Sequence, residues 1–122
     1  MNKLLKSFLA VFLLASLAVA LDHIVVTEPN TDQKLGSTIS VKWDTSQIPK
    51  GLKTTDEVSV RITCGKIGFP PKAVPHQPFT DGKKDITIGS DPSLVGTTCQ
   101  ANIFDETNVD VTGSSSPFKI IA

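Results

Sequence analysis

The sequence predicts an all-β domain, an antiparallel β-sandwich of about seven strands. Three observations predict it. Apolar and polar residues alternate with a period of two through most of the chain, and no stretch past residue 21 carries a helical stripe. Turn signals rich in Pro, Gly, Asp and Asn separate the alternating runs at intervals of about 10 to 20 residues. The two cysteines, Cys64 and Cys99, both fall on the apolar faces of their runs.

The first run, "HIVVTEP" (residues 23–29), is stopped by Pro29, and "NTDQKLG" reads as a turn. "STISVKWD" puts Ile39, Val41 and Trp43 on one face, so the single Trp is expected in the core and not as an exposed platform. After a loop with Pro49 and Gly51, "EVSVRITC" puts Val58, Val60, Ile62 and Cys64 on one face, with Ser59, Arg61 and Thr63 on the other. Residues 65–78 carry Pro70, Pro71, Pro75 and Pro78, which predicts loop with at most a short edge strand. "KDITIG" supplies Ile86 and Ile88, and "DPSLVG" is a turn region. "TTCQANIFD" turns Cys99, Ala101 and Ile103 inward, and "PFKII" turns Phe118 and Ile120 inward. An immunoglobulin domain has its Trp between its two Cys, whereas Trp43 precedes both; the expected likeness is one of architecture.

The N-terminus has a different character. Lys3 and Lys6 precede "SFLAVFLLASLAVAL", 15 residues without a charge, and Ala18-Val19-Ala20 offers the small-x-small pattern of a cleavage site. As a helix this run spans about 22 Å, short of a bilayer core of about 30 Å. A signal peptide over 1–20 and a single domain over 21–122 are therefore expected. Lys3 and Lys6 leave with the signal, so the remainder carries 10 basic against 12 acidic residues. That balance argues against nucleic acid or an anionic membrane as partner. No later run approaches membrane length, and "SSSPFKIIA" lacks the tail of a GPI signal, so a secreted product without an anchor is expected. In an oxidising compartment Cys64 and Cys99 are expected to pair. Asn30, Asn102 and Asn108 all lack the hydroxyl residue that a glycosylation sequon needs.

Four segments resemble the fungal cell-wall synthesis domain of the killer-toxin-resistance and KNH-like type, related to the N-terminal domain of Ser/Thr-rich GPI-anchored proteins. They are "VTEPNTDQKLGSTISVKWDTS", "VSVRITCG", "SDPSLVGTTCQANIFDE" and "TGSSSPFKI". The Gly-to-Trp strand and the closing Ser-Ser-x-Pro-Phe-x-Ile segment are the most specific. The resemblance implies an immunoglobulin- or fibronectin-III-like sandwich and a non-catalytic role in β-glucan assembly or organisation, at the cell surface or outside it. It brings no catalytic residues. The chain departs from the family in ending right after its last strand, without a Ser/Thr-rich stalk, and in having Lys34-Leu35 where an aromatic often precedes the Gly.

Signatures of chemistry are sparse. The sequence has no Gly-x-Ser-x-Gly, His-Glu-x-x-His, phosphate-binding Gly loop or Cys-x-x-Cys, so no catalytic residue, metal or cofactor is expected. The two histidines, His23 and His76, are 53 positions apart, too few and too far for an ordinary zinc set. Asp81, Asp105, Glu106 and Asp110 are the acids to weigh for glycoside cleavage, and "DETNVD" (105–110) is the densest oxygen cluster. Both read more simply as solvated turns. Phe69, Phe79 and Phe104 are the candidate ligand-binding residues, with Phe69 and Phe79 bordering the Pro-rich loop, where an apolar patch would mark a contact surface. The expected partner is a cell-wall polysaccharide or, alternatively, a secreted or cell-surface protein.

Overall fold

The computed structural model describes residues 22–70 and 76–122. The expected signal peptide and residues 71–75 of the Pro-rich loop lie outside the described residues. Among the described residues ten strands follow one another: β1 (Val26–Glu28), β2 (Gln33–Lys34), β3 (Thr38–Trp43), β4 (Glu57–Cys64), β5 (Ile67–Phe69), β6 (His76–Pro78), β7 (Lys83–Thr87), β8 (Thr98–Asp105), β9 (Thr112–Ser114) and β10 (Phe118–Ile121). They form an all-β sandwich. The smaller sheet has the order β1-β3-β7, and the larger has the order β2-β10-β8-β4-β5, with β6 added to β4 and β9 to β8. No helix among the described residues is long and apolar enough to cross a membrane.

The alternation does what the sequence predicts. Ile39, Val41 and Trp43 of β3 face Val58, Val60 and Ile62 of β4 and Ala101 and Ile103 of β8 across one core, which Phe118 and Ile120 of β10 close. Trp43 is buried, and its indole Nε1–H donates to the Phe79 carbonyl at 2.7 Å, so its one polar atom is satisfied. The pairing is antiparallel except for β2, which runs parallel to β10 with Ile120 opposite Gln33. Two residues are too few to show an alternation. This strand is held by tertiary bonds instead: Lys119 N–H donates to Asp32 Oδ1 at 2.9 Å and Leu35 N–H to the Ile121 carbonyl at 2.8 Å.

The three strands that the sequence pattern misses, β2, β6 and β9, have two or three residues each. The Pro-rich region supplies a broken edge: β5 pairs with the end of β4 (Ile62–Cys64) and β6 with its beginning (Glu57–Ser59). β9 is admitted by Gly113. A Cβ there would overlap the carbonyl of Ile24, whose N–H donates to the Thr112 carbonyl at 2.9 Å as the N-terminal segment crosses the strand.

Cys64 and Cys99 form the disulfide, with S–S 2.04 Å. They are direct cross-strand partners at the end of the seven-pair β4–β8 ladder. The bridge therefore joins neighbours within one sheet. The segment it encloses contains β5, β6 and β7, and β7 belongs to the opposite sheet.

Candidate functional site

Strand alternation that sends one set of side chains to the core sends the other set to the outer face of the larger sheet. On β8 the outward residues are Thr98, Gln100, Asn102 and Phe104; on β4 they are Glu57, Ser59, Arg61 and Thr63; on β9 they are Thr112 and Ser114; on β6 they are His76 and Pro78. Phe104 stands directly between Ser59 on one side and Thr112 on the other. It is half-buried, with its neighbours polar.

These polar groups are tied into a fixed array. Ser114 Oγ donates to Asn102 Oδ1 at 2.9 Å, and Asn102 Nδ2 donates to Thr63 Oγ1 at 3.0 Å, a chain running across β9, β8 and β4. Gln100 Nε2 donates to the Ser115 carbonyl at 2.8 Å. The Arg61 guanidinium lies over Gly68, where a Cβ would overlap it, and its Nε is buried with no hydrogen-bond partner among the described residues. At the end of the face Ser59 Oγ donates to Glu106 Oε1 at 2.6 Å, His76 Nδ1 meets Glu106 Oε1, and Glu57 Oε2 lies 3.9 Å from the same ring nitrogen.

The three phenylalanines singled out in the sequence do not meet. Phe79 is fully buried: it begins a 3₁₀ turn after β6, its N–H bonds to the Asp56 carbonyl, and its own carbonyl receives Trp43. The expectation that it lines a contact surface is corrected; its ring is core. Phe69 pairs with Ile62, on the inward side of β5, and packs against the margin of the core. Phe104 alone is on the outer face, so the apolar patch expected around the Pro-rich loop is not formed by these residues.

The acids are also sorted by alternation. Asp105 and Glu106 are adjacent but point to opposite sides, Asp105 fully buried and Glu106 outward. Asp81 is exposed beside Gln77, and Asp110 is exposed. Asp105 meets Asp56 inside the end of the sandwich. Asp105 Oδ1 accepts from Thr107 N–H at 3.0 Å, and its Oδ2 is buried with no conventional donor. Burial, and then hydrogen bonding with Asp56, raises the Asp105 carboxyl above the ordinary aspartate value. Asp56 is lowered, first by the Lys53 N–H at 3.0 Å and then by Asp105. The two carboxyl groups thus meet as a pair, with burial favouring the neutral form on Asp105 and the Lys53 N–H favouring the charged form on Asp56. This clasp holds the 50–56 loop to the start of the 105–110 turn. The Asp105 carboxyl lies in the interior. "DETNVD" thus divides between a buried structural acid and an exposed turn.

A shallow depression of about 280 Å³ lies near the start of β10, lined by Asp32, Thr98, Pro117, Phe118 and Lys119. Its acid, Asp32, already accepts the Lys119 N–H. His23 pairs with Asp22 at 3.0 Å and His76 with the glutamates, so the two histidines serve separate clusters. The convergence of Glu57, His76 and Glu106 escapes sequence reasoning because it depends on the register of β6 against β4.

Comparison with protein-family models, with curated proteins and with solved structures returned no match to this chain.

Proposed function

We propose that this chain is a secreted, non-catalytic module that associates with fungal cell-wall β-glucan and binds it on the outer face of the larger sheet, around Phe104. The observation that carries the reading is the placement of that ring. It stands half-buried between Ser59 and Thr112, beside an array of amides and hydroxyls already held in position. The C–H face of a pyranose packs on such a ring by dispersion, and its hydroxyls find donors and acceptors in Asn102, Gln100, Ser114 and the edge of Arg61. Groups fixed by their own hydrogen bonds lose little entropy on binding. The resemblance of the Gly-to-Trp strand and the closing segment to the wall-synthesis family supplies the class of glycan.

The test is retention of the purified protein on insoluble fungal wall glucan, with soluble β-glucans as competitors and cellulose as control. Displaceable retention that Phe104→Ala weakens by tenfold or more, while Phe69→Ala leaves it within about twofold, fits the reading. No retention above cellulose removes the glycan and favours a secreted or cell-surface protein as the partner of this face.

A further inference from the structure

We propose that Glu57, His76 and Glu106 form a Zn²⁺ site at the end of the outer face. Their donor atoms come from three neighbouring chain segments, β4, β6 and the residue following β8, and all lie within 4.8 Å of one another. The backbone fixes this proximity. His76 is the register partner of Ser59, Glu57 that of Pro78, and Glu106 N–H donates to the Glu57 carbonyl at 3.0 Å. Zinc with nitrogen and oxygen ligands at about 2.0–2.1 Å in a tetrahedron places its donors about 3.3 Å apart. The required contraction is thus about 1.5 Å at most. The Glu57 side chain is 55% exposed and free to make it.

Two further features favour an ion over a simple surface ion pair. Ser59 Oγ, on a buried residue, donates to Glu106 Oε1 at 2.6 Å and so orients that carboxylate from behind, as outer-shell donors orient metal ligands. Among the described residues neither glutamate is paired with a lysine or arginine; both turn toward the same imidazole nitrogen. Without metal, the His76 ring nitrogen is the one group placed between the two acids among the described residues. A divalent ion takes the imidazole and both carboxylates and leaves one position open to solvent or ligand. The mixed donor set suits zinc, whereas calcium takes six to eight oxygens and has no use for the imidazole.

The experiment is calorimetric titration of Zn²⁺ alone into the bridge-intact protein without a polyhistidine tag, with visible absorption of Co²⁺ as a second readout. One ion per chain is expected. His76→Ala and Glu106→Gln should each weaken it by about tenfold or more, and His23→Ala should not. The side chains of His76 and Glu57 are mostly exposed, so His76→Ala and Glu57→Gln are expected to keep the fold, which an unchanged melting curve verifies. Absence of Zn²⁺ binding, binding that survives His76→Ala, or displacement of Zn²⁺ by an equal concentration of Ca²⁺ overturns the proposal. Glucan retention by His76→Ala reads the two proposals separately, since Phe104 and His76 lie on different strands.

Discussion

Replacing Asp105 tests whether burial makes this acid favour its neutral form over its charge. Asp105→Asn keeps the shape, keeps an oxygen for the Thr107 N–H, and supplies a neutral donor on the side of Asp56. Asp105→Ala keeps neither. It leaves the Thr107 N–H without its acceptor and Asp56 without its Asp105 neighbour at the buried end of the sandwich. One buried unsatisfied group costs about 1–3 kcal/mol. With about 2 kcal/mol lost and about 4–8 °C per kcal/mol for a domain of this size, the alanine variant should melt roughly 8–16 °C lower. The asparagine variant should melt at or above the parent at neutral pH.

The pH dependence follows from the two directions. Asp105 has a folded value above the ordinary 3.8, so its contribution is full below that value and is lost as pH rises through the raised one. Asp56 is lowered, so its contribution is present above 3.8 and is lost as pH falls through the depressed value. The pair is most stabilising between the two. Thermal melts followed by circular dichroism from pH 3 to pH 8 should show parent stability declining above the maximum, and that decline should be smaller in Asp105→Asn. If the asparagine variant melts well below the parent at neutral pH, or if its profile matches the parent's, the preference of Asp105 for its neutral form is wrong.

The disulfide closes a segment with a sequence separation of 35, which on the chain-entropy model contributes about 4 kcal/mol. Reduction should therefore lower the melting temperature by roughly 16–32 °C, measured with and without reductant. Phe79→Ala empties a fully buried site and should cost about 3–5 kcal/mol in denaturant titration, whereas Phe104→Ala on the outer face should cost less than half of that. Two glycine substitutions should part in the same assay. Gly113→Ala meets the backbone carbonyl of Ile24 and should cost about 1–3 kcal/mol, while Gly68→Ala meets only the flexible end of Arg61 and should displace it at a cost below about 1 kcal/mol.

Much of the fold was legible because alternation is a local signal. Each of Ile39, Val41, Trp43, Val58, Val60, Ile62, Ala101 and Ile103 reaches the core face its neighbours assign to it. The same rule put both cysteines inward and so anticipated the bridge. Alternation does not say which strands are neighbours. That Cys64 and Cys99 are partners within one sheet, and that β2 joins β10 in parallel, depends on contacts between residues 35 to nearly 90 positions apart. The phenylalanines show the limit from the other side. Phe79 sits after a Pro in a segment with no alternation to read, and the backbone bonds to Asp56 and from the Trp43 indole, together with the 3₁₀ turn, fix it with its ring inward. Phe104 lies in a long alternating strand, and its outward direction was readable from Cys99 and Ile103.

The outer face owes its character to the division that builds the core. On β4 and β8 every second residue is committed to packing, so the remaining positions vary in chemistry at little cost to the fold. They carry hydroxyls, amides, one guanidinium and one ring instead of a plain solvated surface. The exception is Ser59, which is buried although it belongs to the outward set. It is covered because Glu106 folds back over it toward His76. That single contact links the two ends of the face: Ser59 flanks Phe104 across the β4–β8 ladder and also orients the carboxylate beside the imidazole.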